Sequence, residues 1–210
     1  MTHQEQLSHQ AWLSHQAWLN ARKLGVTGTD IGIIMGVNPY KKRKALLEEK
    51  LGRGKPFYES LAVVVGRRLE PLVASAWSAR NQEIITGGVF TASPSNPRYI
   101  GTPDFLTPHR GLEIKTAGAH IFASGCPKHY ELQCRWYAMI TERECWDLSC
   151  CIVPKDRKLI NLYQTDEELY EWVKVQPHKE YKYQRIESQE QEMMDAADEF
   201  IRELQILRGV

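Results

Sequence analysis

The chain has 210 residues, 42% of them hydrophobic and 25% charged, with a net charge of +1. That size suits a single α/β domain over 1–210, with an N-terminal extension (1–17) and a C-terminal amphipathic helix (187–210). No apolar run approaches the roughly 18 residues that span a bilayer, so no membrane association is expected. The near-neutral total counts against nucleic acid as a partner, whereas the local clusters Lys41-Lys42-Arg43-Lys44 and Arg53-Gly54-Lys55 count for it. The polar start MTHQEQLSHQ lacks the basic-then-apolar order of a secretion signal, so a cytoplasmic location is expected. Five cysteines, an odd number, do not suggest a disulfide framework. Adjacent Cys150 and Cys151 would face opposite sides of a strand, one of them filling the core.

Ser8-His9-Gln10-Ala11-Trp12-Leu13 is repeated at once as Ser14-His15-Gln16-Ala17-Trp18-Leu19. Six residues are too few for a solenoid unit, so this is a duplication at a helix start, with Ser14 a candidate N-cap. Trp18, Leu19 and Arg22 share one side of that helix, which Gly25 ends. Thr27-Gly28-Thr29 reads as a turn, with Thr29 or Asp30 capping a second helix through Met35. Gly36 and Asn38-Pro39 break it, and Lys44 to Leu51 forms a third. Glu59 to Ala79 is a longer helix in which Pro71 predicts a kink or break.

The middle is strand-like over Glu83 to Ala92 and Arg98 to Leu106. Pro108-His109-Arg110-Gly111 turns the chain into Leu112-Glu113-Ile114-Lys115. Tyr130 to Ile140 is helical. Trp146 to Val153 and Lys158 to Gln164 read as two strands. Thr165 and Glu168 form a capping box for the next helix. Met194, Ala197, Ile201, Leu204 and Leu207 mark a terminal amphipathic helix. Helices followed by a small mixed sheet, with further helices packed outside, describe an α/β sandwich.

The chemistry concentrates at Gly101-Thr102-Pro103-Asp104 and Glu113-Ile114-Lys115. On a strand, Glu113 and Lys115 point to one face, roughly 6–7 Å apart, and Ile114 to the other. The hairpin returns Asp104 beside Glu113. Two carboxylates and a lysine then meet on one sheet edge. Hard oxygen ligands suit Mg²⁺, with Mn²⁺ as a substitute, and the Ile114 carbonyl offers a further ligand. Such a site suits phosphodiester hydrolysis, with Lys115 positioning or helping to deprotonate water and screening charge. The plain alternative is a surface Glu–Lys pair on an exposed strand.

These segments resemble the PD-(D/E)XK nuclease superfamily, and within it the lambda exonuclease or YqaJ-like viral recombinase family. Pro103-Asp104 with Glu113-Ile114-Lys115 resembles the central motif. Gly66-Arg67-Arg68-Leu69-Glu70 resembles the helix motif, Tyr130-Glu131-Leu132-Gln133 the later helix, and Trp18 to Asp30 the N-terminal segment. The similarity runs from about Trp18 to Val153. It implies a restriction-endonuclease-like core with a central mixed sheet flanked by helices. It implies Asp104, Glu113 and the Ile114 carbonyl as metal ligands, Lys115 as the catalytic lysine and Glu70 at a second metal or its water. Gln133 would hold the water or scissile phosphate, supported by Tyr130. Arg22, Thr29 and Thr27 would grip a 5′-phosphate. Leu61, Val63 or Val64 would supply a strand-separating wedge. The implied activity is 5′→3′ digestion of linear double-stranded DNA to mononucleotides, leaving 3′ overhangs. The implied partners are DNA ends, two more copies in a homotrimer ring and a phage-type single-strand annealing protein. A ring would hold DNA without a large basic surface. Two rival readings are a Cas4-like or RecB-like nuclease with an iron–sulfur cluster, which four cysteine ligands would require, and a DNA-binding or annealing module without catalysis.

Overall fold

The computed structural model describes residues 16–54 and 58–209. The first SHQAWL copy and the candidate cap Ser14 lie outside them. Helix α1 (residues 16–24) ends at Gly25, where a Cβ would lie 2.6 Å from the Arg98 carbonyl oxygen, so only glycine allows this approach. Helix α2 (Gly28–Ile34) is capped by Thr27, not by Thr29 or Asp30 as expected. The Thr27 hydroxyl accepts the Asp30 amide at 3.3 Å, and the Thr27 amide donates to Asp30 Oδ2 at 2.9 Å, a reciprocal box that displaces either alternative. Helix α3 (Arg43–Lys50) ends on Lys50, whose ammonium binds the Arg22 carbonyl at 2.6 Å, the Gly25 carbonyl at 2.8 Å and Asp30 Oδ2 at 2.6 Å. One buried cation thus ties α1, α2 and α3 together.

Helix α4 (Leu61–Asn81) is not broken at Pro71, which stands on its solvent side. The short strands β1 (Thr86–Gly87), β2 (Thr91–Ala92), β3 (Ile100–Gly101) and β4 (Phe105–Leu106) lead to β5 (Gly111–Ala117). Helix α5 (Lys128–Ile140), β6 (Cys145–Ile152), α6 (Asp166–Val175), β7 (His178–Gln184) and α7 (Glu187–Arg208) follow. The main sheet runs β1-β4-β5-β6-β7, with β2 and β3 as a separate pair. Only β5 and β6 are parallel in the main sheet, so it is mixed, as expected.

Helices cover both faces. Val65, Leu69, Val73 and Trp77 of α4 pack with Leu112, Ile114 and Cys151 on one. Ile31 of α2, Trp136 of α5 and Phe200 of α7 pack with Trp146 and Leu148 on the other. Because both faces are covered, Cys150 and Cys151 are both buried, whichever way each points.

Two further expectations fail. Residues 158–164 form no strand. After a 3-10 turn at Arg157–Leu159, the Asn161 side chain accepts the Tyr163 amide at 3.1 Å and closes another turn. The strand on the outer side of β6 is β7, whose Lys179, Glu180 and Lys182 disguise it; they suit an edge strand facing water. In α7 the buried stripe runs through Met193, Ala197, Phe200, Ile201 and Leu204, while Leu207 is 50% exposed. No helix of the described residues is long and apolar enough to cross a membrane.

Candidate active site

Phe105 pairs with Leu112 and Leu106 with Gly111, so the hairpin sets Asp104 opposite Glu113 just where β4 stops. With no further strand amide or carbonyl available there, the Asp104 side chain takes over: its Oδ2 accepts the Ile114 amide at 2.9 Å. The amide and carbonyl of one strand residue point to the same edge. The Ile114 carbonyl is therefore directed toward Asp104, while its side chain packs against α4.

Glu113 is 0% exposed. Its Oε1 accepts from the Lys115 ammonium and from Gln133 Nε2, the latter at 2.5 Å. Its Oε2 is buried and has no hydrogen-bond partner among the described residues. Lys115 Nζ also lies 5.5 Å from the Tyr130 ring centre, a cation–π contact. Gln133 reaches the site because α5 crosses α2 closely. A Cβ on Gly28 would lie 2.8 Å from Tyr137 Cε1, and one on Gly101 would lie 2.5 Å from it. Those two glycines make room for Tyr137, whose hydroxyl lies 3.4 Å from Gln133 Nε2.

Glu70 enters from α4. Burial, and then the Asp104 carboxylate, raise its pKa to about 7, against the pull of Lys115 and Arg67. Burial, and then Asp104, push Glu113 up to about 8, against Lys115. Burial also raises Asp104, opposed by Lys115 and the Ile114 amide. Burial works against the Lys115 charge, but Glu113 and Asp104 outweigh it and hold the ammonium protonated. Three carboxyl groups thus crowd around one cation, an arrangement short of positive charge.

The site opens into a cleft of about 970 Å³. Thr29, Val63, Glu70, Lys115, Tyr130 and Gln133 all line it, and Ile114 does too. Asp104 and Glu113 are not on its lining. Arg22 and Thr27 do not line it either. The Arg22 guanidinium stacks 4.9 Å from the Trp18 ring, and Trp18 Nε1 faces Thr102 Oγ1 at 3.4 Å, two residues before Asp104. Thr27 is buried in its capping box. The sequence reading missed Tyr40, His120, His129 and Arg157, which also line the cleft. They sit in turns or at a helix start and carry no motif spacing. The His129 ring lies 4.2 Å from Tyr130 and 5.9 Å, edge on, from Tyr40.

Among the described residues no three His, Cys, Asp or Glu side chains form a ready-made metal cage. The fit to a hard cation rests on the orphaned Glu113 Oε2, the adjacent Asp104 carboxylate and the Ile114 carbonyl directed to the same edge. Such a partial oxygen shell suits an ion that keeps several waters. Cys134, Cys150 and Cys151 are buried, Cys126 and Cys145 partly so, and all five are free thiols.

Known proteins share the family and the fold of this chain. The YqaJ-like viral recombinase domain family matches residues 17–144. The alkaline exonuclease LHK-Exo of Laribacter hongkongensis superposes with a TM-score of 0.68 at 19% identity, over 91% of this chain and 93% of that one. A phage-related exonuclease from Haemophilus somnus 129PT gives 0.60 at 16% identity, over 87% of this chain and 92% of that one. These two likenesses carry the fold. The uncharacterized protein R354 of Acanthamoeba polyphaga mimivirus is 30% identical over 152 residues, 62% of this chain, which spans 28% of that protein's length. The family match runs from α1 through α5 and takes in Glu70, Asp104, Glu113, Lys115 and Gln133; the chain belongs to the YqaJ-like viral recombinase family.

Proposed function

We propose that this protein is a metal-dependent exonuclease that digests linear double-stranded DNA from the 5′ end, releasing mononucleotides and leaving 3′ overhangs for strand annealing. The carrying observation is the buried Glu113, held by Lys115 and Gln133 with one oxygen unpartnered, beside Asp104 beneath an open cleft. Asp104, Glu113 and the Ile114 carbonyl would hold Mg²⁺, or Mn²⁺ in its place, with Glu70 at a second ion or its water. When bound, the ion supplies Lewis-acid polarisation of a phosphoryl oxygen.

The chain's own groups divide the remaining work. Lys115, held charged by Glu113 and Asp104, donates to the phosphate oxygens as negative charge builds on them. Glu70, with a pKa near 7, orients the attacking water and takes its proton. The water oxygen bonds to phosphorus, the bond from phosphorus to the 3′ oxygen breaks, and that oxygen takes up a proton from solvent in the cleft while Glu70 later returns its proton to solvent. Gln133 fixes Glu113, and Tyr130 seats the Lys115 ammonium.

The 5′ polarity draws its support from Thr29, exposed on the same cleft as Lys115; Arg22, stacked on Trp18 outside the cleft lining, would turn toward a bound 5′-phosphate to add its guanidinium from α1. Thr27 holds the turn that presents Thr29. Val63, on the cleft rim near the start of α4, is the wedge between the strands. A homotrimer ring and a single-strand annealing protein complete the proposal; the ring reconciles DNA binding with a net charge of +1.

The test compares 5′-phosphorylated, 5′-hydroxyl and supercoiled DNA in Mg²⁺. The proposal expects rapid loss of a 5′ label from the first, slower digestion of the second and none of the circle. Arg22→Gln should erase the difference between the two linear ends. Nicking of the circle at the linear rate, or loss of a 3′ label first, would overturn the polarity.

A further inference from the structure

The cleft carries one cation that the reading above leaves without a task. Lys115 is paired with Glu113 and Arg67 with Glu59. Arg157 also lines the cleft, yet among the described residues it has no carboxylate partner. Its guanidinium donates to the Pro154 carbonyl of its own turn. A neutral carbonyl orients a guanidinium without cancelling its charge, and most of its donors remain available. The surroundings bury it partly, and the titratable groups beside it, Cys150, Tyr130 and Cys151, are thiols and a phenol rather than carboxylates.

Its place along the cleft is set by the strands. Glu113, Lys115 and Ala117 follow one another on one face of β5, two residues apart, roughly 6–7 Å per step. Gly28, next to Thr29, packs on Gln133 and Tyr137, and Gln133 binds Glu113. At the other end the Ala117 carbonyl accepts the Val153 amide at 3.0 Å, and the chain then turns through Pro154 to Arg157. Thr29 and Arg157 therefore stand on opposite sides of Lys115, with His120 beside the end of β5.

We propose that Arg157 is a second anion-binding residue of the cleft, gripping the phosphate one linkage to the 3′ side of the scissile phosphate. This rests on the nuclease reading with Thr29 on the 5′ side. A planar, permanently charged fork suits a backbone phosphate and reads no base. Gripping the strand on both sides of Lys115 holds the scissile bond in line and sets where the strand lies after each step.

The experiment measures affinity for a 5′-phosphorylated duplex with a 3′ overhang, without divalent metal, over a range of salt. Arg157→Gln should weaken binding about tenfold and reduce the slope of log affinity against log salt by about 0.7–0.9, the loss of one phosphate contact. Arg157→Lys should keep most of the slope. Arg80→Gln, whose arginine is paired with Glu180 outside the cleft lining, should keep all of it. A neutral methylphosphonate at the second linkage from the 5′ end should cost the wild type the same slope and cost Arg157→Gln nothing more. An unchanged slope in Arg157→Gln, or losses that multiply between variant and methylphosphonate, would overturn the proposal. These binding readouts need no cleavage. A wild type that binds as described yet cuts no DNA would defeat the nuclease reading and leave the Arg157 contact standing.

Discussion

The Asp104 carboxylate completes the ladder between β4 and β5: its Oδ2 accepts the Ile114 amide at 2.9 Å where strand β4 has run out. One side chain thus ends a hairpin and turns the Ile114 carbonyl toward the same edge. Structure and chemistry separate by substitution. Asp104→Asn keeps an acceptor for the amide, so its melting temperature should stay near wild type while cleavage falls about a hundredfold or more. Asp104→Ala strands the amide and should lose a further 1–3 kcal/mol, roughly, of stability in denaturant unfolding. Equal stability of the two variants would show that the amide contact is dispensable.

The crowded carboxyls make a pH prediction for the metal-free protein. Glu70 and Glu113 rise from 4.5 in the free chain to about 7 and about 8 in the fold. The fold therefore binds protons more tightly than the unfolded chain. Its extra stability is fully present below pH 4.5 and is lost as the pH rises through 7 to 8. Melting temperatures without metal should fall across that window, and Mg²⁺ should remove most of the fall. Glu113→Gln should flatten the profile. A metal-free protein that gains stability from pH 5 to pH 8 would contradict the burial of these groups.

Lys50 and Asp30 form a buried pair at 2.6 Å, both nearly free of solvent. Lys50→Met leaves the Asp30 carboxylate uncompensated and frees the Arg22 and Gly25 carbonyls. A loss of about 3–5 kcal/mol is expected, with partial recovery in Lys50→Met/Asp30→Asn. Chemical unfolding of the two variants checks this; equal losses would mean that the pair is not coupled.

Gly101 sits against Tyr137 and Ile140, where a Cβ would come within 2.5 Å and 3.0 Å. Gly101→Ala should cost about 1–3 kcal/mol through overpacking. Because Tyr137 lies beside Gln133, cleavage should drop more than in a variant of equal stability in the core on the other sheet face, such as Val173→Ala. Equal activity losses at matched stability would remove Tyr137 from the support of the site.

Much of this was legible in the sequence, for local reasons. The turn Pro108–Gly111, the alternation through Leu112–Lys115 and the Thr165–Glu168 box each specify their structure within a few residues, and all three formed. Glu70, Tyr130, Gln133, Val63 and Thr29, read from motif order, reach one cleft. What stayed hidden depends on tertiary placement. The edge strand β7 reads as polar because one side meets water. Cys150 and Cys151 are both buried only because helices cover both sheet faces. Tyr40, His129 and Arg157 join the cleft through turns whose direction no short spacing encodes. Arg22 keeps its helix position, yet its side chain lies on Trp18 rather than on the cleft.

The central claim is that Glu113, with Asp104 and Lys115, makes a metal-dependent phosphodiesterase. Single-turnover release of the first nucleotide from 5′-phosphorylated duplex, by wild type and by folded Glu113→Gln, in Mg²⁺ and in EDTA, tests it most directly. Release by the wild type in Mg²⁺ alone, with the variant slower by about a hundredfold or more, is the predicted result. Release that survives EDTA, or a variant as fast as the wild type, would contradict it.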